Sequence, residues 1–381
     1  MKIKNRTMTN ALICYTIIVV AFVIIRILTS SQFHVLDSIG EVWQYVLQAV
    51  AQIGLLLFLS IFLFKWLQKA KLKDVVNFFG FKKISWKGVL YAFLLGIIVY
   101  VFNYFIASFF SAVLTSLGYK YPPSSSGDSY PFWLFLINIV STAILPAICE
   151  ETAHRGMLMR GLSELGSKKA IIISSLLFGC MHMNIGQFFY TTIIGLFLGY
   201  VTTFTDNIYP AIIIHFMNNF LSVFMSFSRA NGLGVDAIFT WMSSNFSANP
   251  IAVLIFMLAL LLLLAIAGRF LLRALFKETA IKQMNSLQNA VMNEVIRDSF
   301  FSEIRMLTKN AVDLGQGNQL SIEQLIKDKS DDTGYNNDIS RAVYEDYVRK
   351  KPSAVSKVLV ICCFVLMGIV TFMTFIWGVW L

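Results

Sequence analysis

The stretch Cys149-Glu150-Glu151-Thr152-Ala153-His154-Arg155-Gly156 interrupts a run that is otherwise apolar. Two carboxylates, a histidine and an arginine are costly to place there. Such residues persist where they have partners or a task. On a helix Glu150 shares a face with His154, and Glu151 shares one with Arg155. The second pair reads as structural, an ion pair that neutralises one carboxylate. Glu150 is left for chemistry, with His154 as a titratable neighbour. Two more polar groups follow in apolar surroundings. One is Phe178-Gly179-Cys180-Met181-His182. The other is His215-Phe216-Met217-Asn218-Asn219, in which His215 and Asn219 lie four residues apart on one helix face.

Together these residue types can cleave an acyl bond. A carboxylate among apolar groups is disfavoured in its charged form and so takes up a proton readily, as a general base must. Water held between Glu150 and His182 is placed for attack on a carbonyl, and His215 with Asn219 can donate to the oxyanion that develops. No cofactor is needed. Glu150, His182 and His215 also make up a zinc set of two histidines and one glutamate with an open position, although the H-E-x-x-H pattern is absent. Cys180, beside His182, is a weaker candidate nucleophile, because no flanking basic cluster would activate its thiol. Gly195-x-x-x-Gly199 has the spacing of close helix packing, which is a structural role.

The elements that carry these residues are membrane helices. Of 381 residues, 57% are hydrophobic and 14% charged, against about 25% charged in an average soluble domain. Mean hydropathy is +0.69. The composition predicts an all-α polytopic protein with about nine spans: 11–29, 43–65, 89–116, 132–165 with a kink at Pro146, 169–183, 187–204, 208–227, 251–268 and 357–380. The N-terminal run reads as a first span, not a removed signal peptide. Residues 228–250 read as a loop and His34 as exposed. A polar, mixed-charge region at 276–355 reads as cytoplasmic and helical, with an amphipathic stretch at 290–307 and disorder around 327–337. The divisions expected are 1–117, 118–275, 276–355 and 356–381. The five cysteines lie in apolar runs without metal-ligand spacing and read as small core residues.

The net charge of +10 is topological: basic residues fall in alternate loops, not in one patch, which excludes nucleic acid as a partner. The positive-inside rule puts the N-terminus, the 66–87 loop and the 160–169 turn in the cytoplasm, and the C-terminus outside. Depth can be checked from the turn at Leu165–Lys168. Counting residues from it puts Glu150 and His182 at one level, ~21–23 Å away. His215 is only 8 residues beyond Asn207, which predicts a position shallower by ~10 Å.

The ordered set Glu150-Glu151-x-x-x-Arg155, Phe178-x-x-x-His182 and His215-x-x-x-Asn219 resembles the CPBP family of type II CAAX prenyl endopeptidases and bacterial Abi, or bacteriocin-immunity, proteins. The resemblance spans about 130–227. It implies an intramembrane glutamic endopeptidase without metal. In that scheme Glu150 is the base, His182 holds the water, His215 and Asn219 form the oxyanion site, and Glu151 and Arg155 support them. His154 stands where the family often has an aromatic residue. The chain itself does not end in a prenylation box.

A peptidase acting on a membrane-associated peptide or protein, in peptide processing or bacteriocin immunity, is one function. The alternative is a non-catalytic scaffold or regulator that binds a membrane partner, such as a cell-envelope enzyme or sensor kinase, through 276–381. A proton-relaying transporter is a weaker third, for no repeats or paired broken helices are evident. Enrichment in Lys, Ile, Asn and Phe points to a bacterial plasma membrane, with the lipid bilayer as the constant partner.

Overall fold

In a bilayer the backbone has no water to bond, so each segment must satisfy its own amides, and helices result. The computed structural model describes residues 7–28, 41–121, 130–246, 248–310 and 353–380. Every regular element among them is helical. The first is α1 (Thr7–Leu28). Next, α2 (Glu41–Ala51) continues through a π-type segment, Gln52–Leu59, into α3 (Ser60–Gln68). Then come α4 (Leu72–Phe78) and α5 (Trp86–Ser116). A single rod follows: α6 (Phe132–Asn138), a π-type segment Ile139–Ile144, α7 (Leu145–Glu151), a second π-type segment Thr152–Met159, α8 (Arg160–Leu162) and a 3₁₀ turn Ser163–Leu165. The rest are α9 (Ser167–Met181), α10 (Ile185–Thr205), α11 (Tyr209–Ala230), α12 (Ala237–Phe246), α13 (Pro250–Asn310) and α14 (Ala354–Trp380).

Among the described residues, eight helices are long and apolar enough to cross a membrane. They fall on eight of the nine predicted spans. The other, predicted at 169–183, is α9, whose 15 residues reach ~22 Å and fall short of a bilayer core. Its lining side, including Leu177 and Phe178, is buried against neighbouring helices. Two expectations are corrected. The predicted span at 251–268 does not stop there. Gly268 alone does not break a helix whose next residues are good helix formers, and α13 runs for 61 residues to Asn310. The predicted loop at 228–250 contains α12, held by Phe239 against Tyr104 with ring centroids 4.3 Å apart and by an Arg229–Asp236 ion pair.

The rod at Phe132–Leu165 changes helix type next to Pro146, where a kink was expected. Proline has no N–H to give the carbonyl four residues back, which is Thr142, and the helix widens to the π type just before it. Two apolar clusters hold the helices. Leu12, Tyr15, Phe64, Met157, Leu177 and Met367 belong to one, and Leu95, Phe178, Leu198 and Ile214 to the other. α14 closes the first cluster. Ser356 bonds Thr9 at 2.9 Å, and the Ile185 amide donates to Thr374 Oγ1 at 3.0 Å, which fixes the α9–α10 turn.

The chain divides into two compact units, Met1–Glu278 with Pro352–Leu381, and Thr279–Lys351. The polar region predicted at 276–355 is helical as far as Asn310, so the stretch 290–307 is helix. His34 and residues 311–352, including 327–337, lie outside the described residues.

Candidate active site

Glu151 sits at the end of α7 with none of its surface exposed. Its Oε1 accepts from Arg155 Nη1 at 2.9 Å and from His215 Nδ1 at 2.8 Å. Arg155 spends its other amine on the Gly195 carbonyl, 3.2 Å away, and lays its guanidinium 4.3 Å over the Phe178 ring. Gly195 permits this approach: a Cβ there would come within 3.3 Å of both the guanidinium and Phe178. These bonds offset part of the cost of burying the ion pair, while Glu151 Oε2 is buried without a hydrogen-bond partner. The sequence-level assignment of Glu151 and Arg155 as a supporting pair agrees with this geometry. What it lacked was the third member, His215.

His215 is buried, and because its Nδ1–H points at a carboxylate, Nε2 is turned to Glu150 Oε2, 4.0 Å away. That distance exceeds hydrogen-bond reach. His182 caps α9, and its Nδ1 donates to the Phe178 carbonyl at 2.9 Å. Both rings are thus pinned through Nδ1, and the neutral tautomer of His182 carries a bare Nε2. Phe178 lies between them, edge-on to His182 at 5.1 Å and to His215 at 5.9 Å.

Asn219 is held at both ends. Its Nδ2 donates to the Thr142 carbonyl at 3.0 Å, and its Oδ1 accepts from Asn218 Nδ2 at 2.9 Å. Asn218 Oδ1 in turn accepts from Asn103 Nδ2 on α5 at 3.2 Å. The reason is local. Pro146 cannot serve Thr142, so an amide from α11 does. One N–H of Asn219 is left over.

Glu150, His182, His215 and Asn219 line one cavity of about 480 Å³, together with Asn103, Asn218 and Gln52. Glu151 and Arg155 lie behind its wall. His154 does not join it. Its Nδ1 donates to the backbone carbonyl of Glu150 at 2.9 Å and its Nε2 accepts from Tyr15 on α1 at 3.0 Å, so it braces the helix and does not act on the Glu150 carboxylate. Cys180 is buried outside the lining.

The predicted shallow position of His215 is also corrected. The α10–α11 turn does not lie level with Leu165. Asp206 in that turn is bound by Arg160 at 2.7 Å and by Lys82, and the Ile208 amide donates to the Gly80 carbonyl at 2.9 Å. Glu150 is ten residues from Arg160 and His215 nine from Asp206, so the two reach one level, ~14–15 Å beyond that anchor. Missed in the sequence were Asn103, Asn218, Gln52, Phe178 as a shelf, and Tyr15. Asn103 and Gln52 carried a usable signal, as polar side chains in apolar spans.

With this geometry in place, the comparisons are specific. Residues 131–221 match the family model described as type II CAAX prenyl endopeptidase Rce1-like. That segment, about a quarter of the chain, is similar to a family of CAAX-type intramembrane proteases. No curated protein and no solved structure matches the chain. The endopeptidase-type segment contains every residue from Glu150 to Asn219.

A metal was the other option for the cavity. Among the described residues no three His, Cys, Asp or Glu side chains converge as ligands would, and His215 Nε2 stands 4.0 Å from Glu150. No step below uses a metal.

Proposed function

We propose that the chain is an intramembrane endopeptidase that hydrolyses a peptide bond of a membrane-associated peptide or protein with a water activated by Glu150. The observation that supports it is the convergence of Glu150, His182, His215 and Asn219 on one cavity, with both histidines tied through Nδ1. Glu150 removes a proton from the water. His182 Nε2 accepts the other hydrogen and aims the oxygen. His215, doubly protonated with its Nδ1–H on Glu151, donates from Nε2 to the oxyanion, and the spare N–H of Asn219 donates beside it. Collapse of the tetrahedral intermediate breaks the C–N bond, and the proton on Glu150 passes to the leaving amine. Peptide processing or bacteriocin immunity is the role the family resemblance suggests, and the composition suits a bacterial plasma membrane.

Glu150→Gln keeps the shape and removes the base. At equal membrane abundance it should lower turnover by about 10²–10⁴-fold, read as loss of product peptides in membrane extracts. Full turnover in that variant sinks the mechanism.

A second reading, a non-catalytic scaffold, draws on α13, which continues to Asn310 although the family match ends at 221. A phenotype that survives Glu150→Gln but is lost when 279–351 is replaced by a linker selects it. That deletion must spare α14, because Thr374 holds the α9–α10 turn beside His182.

A further inference from the structure

We propose that the chain binds one anionic glycerophospholipid in a groove between α5, α10 and α13. Its phosphate lies on Arg269 and Arg273, and one acyl chain runs to the edge of the catalytic cavity. The proposal stands independently of the peptidase reading.

The groove is a cavity of about 560 Å³. Apart from Asn103, Tyr200, Arg269 and Arg273, its lining is apolar. α13 is the least buried of the candidate spans among the described residues. It meets α5 at Gly268, where an added Cβ would come 3.7 Å from Ile98. It meets α10 at Phe276, stacked on Phe204 with centroids 5.4 Å apart. A gap of this size does not stay empty in a bilayer. As a void it would strip its walls of van der Waals partners, and the walls hold too few polar groups to fix water. Hydrocarbon fills it at least cost. From Leu95 to Ile106 the groove follows α5 for ~16 Å. Half of a hydrocarbon core is ~15 Å, so the groove fits a chain from one leaflet.

The two ends of the groove differ. Asn103 and Ile194 also line the catalytic cavity, so the end of the chain forms part of that cavity's wall. At the other end stand Arg269 and Arg273, one turn apart on one helix face. Leu275 clusters with Ala92 and Leu95, so this end is the one nearer Trp86, where Lys82, Lys83 and Lys87 lie. Like charges four residues apart repel each other. Both arginines are exposed, and among the described residues neither has an acidic partner. No acidic side chain lines the groove. Basic pockets between membrane helices suit anionic head groups, and the guanidinium fork matches phosphate oxygens.

The test is native mass spectrometry of the full-length chain in detergent. Dioleoylphosphatidylglycerol and dioleoylphosphatidylcholine are the probes, with the same chains and different heads. The parent should retain one phosphatidylglycerol in preference to phosphatidylcholine. Each arginine should contribute about 5-fold, so Arg269→Gln/Arg273→Gln should weaken phosphatidylglycerol about 30-fold and leave phosphatidylcholine unchanged. Gly268→Phe fills the groove, keeps both charges and should weaken both lipids. Lys168→Gln/Lys169→Gln removes two exposed charges outside the groove lining and should change neither. Glycerol 3-phosphate, a head without chains, should not displace the lipid. Variants are matched to the parent in size-exclusion profile; if Gly268→Phe fails this, Ala265→Phe at an exposed lining position replaces it. Equal affinity of the parent for the two lipids overturns the proposal. So does phosphatidylglycerol binding that withstands the arginine pair or the groove-filling variant, that falls equally with the lysine pair, or that yields to glycerol phosphate. Lipid-free dimers that disappear in the groove-filling variant would put a second copy in the groove and overturn it as well.

Discussion

Arg155→Met isolates the electrostatic support of the site. Methionine keeps most of the length and removes the charge. Glu151, wholly buried, then keeps only the His215 Nδ1–H as a partner. Breaking one side of a buried pair costs about 3–5 kcal/mol, a folded-to-unfolded ratio lower by about 10²–10³-fold or more. The Gly195 carbonyl loses its donor and Phe178 its cation as well. In Glu151→Leu/Arg155→Met both charges go, and paired removal is often close to neutral. Some cost remains, about 1–3 kcal/mol, since His215 Nδ1 is left without an acceptor. The double variant should therefore be more stable than Arg155→Met, with a coupling of about 2 kcal/mol in a double-mutant cycle. Turnover should stay low in the double variant, for His215 has lost its orienting carboxylate. The assay is denaturant unfolding of the purified protein in one detergent, with hydrolysis measured on the same samples. Strictly additive single and double variants would refute the reasoning, as would full turnover in the double variant.

Three further outcomes follow from the same geometry. Asn219→Ala should lower turnover by about 10²–10³-fold, since it removes an oxyanion donor and uncaps Thr142, and a kinetic comparison with the parent reads it. Gly179→Ala should destabilise by about 1–3 kcal/mol, because its Cβ would lie 2.0 Å from Thr192 Oγ1 and 2.9 Å from the Phe188 carbonyl on α10. Gly54→Ala, with nothing within 4 Å, is the control in the same unfolding assay and should not destabilise. The last concerns acid. Burial pushes the Asp206 carboxyl up, but hydrogen bonds from Lys82 and Arg160 and their charges outweigh it and hold the group below its ordinary value. A depressed carboxylate stabilises the fold above its unfolded value and loses that contribution as pH falls through the folded one. Unfolding midpoints should therefore drop below about pH 4 in the parent and less so in Asp206→Asn.

The residues that could do chemistry were legible because their burial is expensive. A carboxylate or imidazole in an apolar run needs a reason, and Glu150, His182 and His215 each announced one. The spans were legible for the related reason that a bilayer enforces length and apolarity. Contacts between elements far apart in sequence were hidden. His154 looked like a neighbour of Glu150 because helical spacing counts residues along one helix. Its ring is claimed instead by Tyr15, 139 residues away, and by a backbone carbonyl.

The register of His215 makes the same point about the site itself. Counting from a turn gives a depth only if the depth of that turn is known. The α10–α11 turn is set by Arg160 and Lys82, which reach Asp206 from two other elements. Those charges were read as topology signals, and they also act as the clamp that lifts α11 until His215 faces Glu150. Basic residues on one face of a membrane protein can thus orient the chain in the bilayer and, by pairing with one acidic turn, set the level at which buried groups meet.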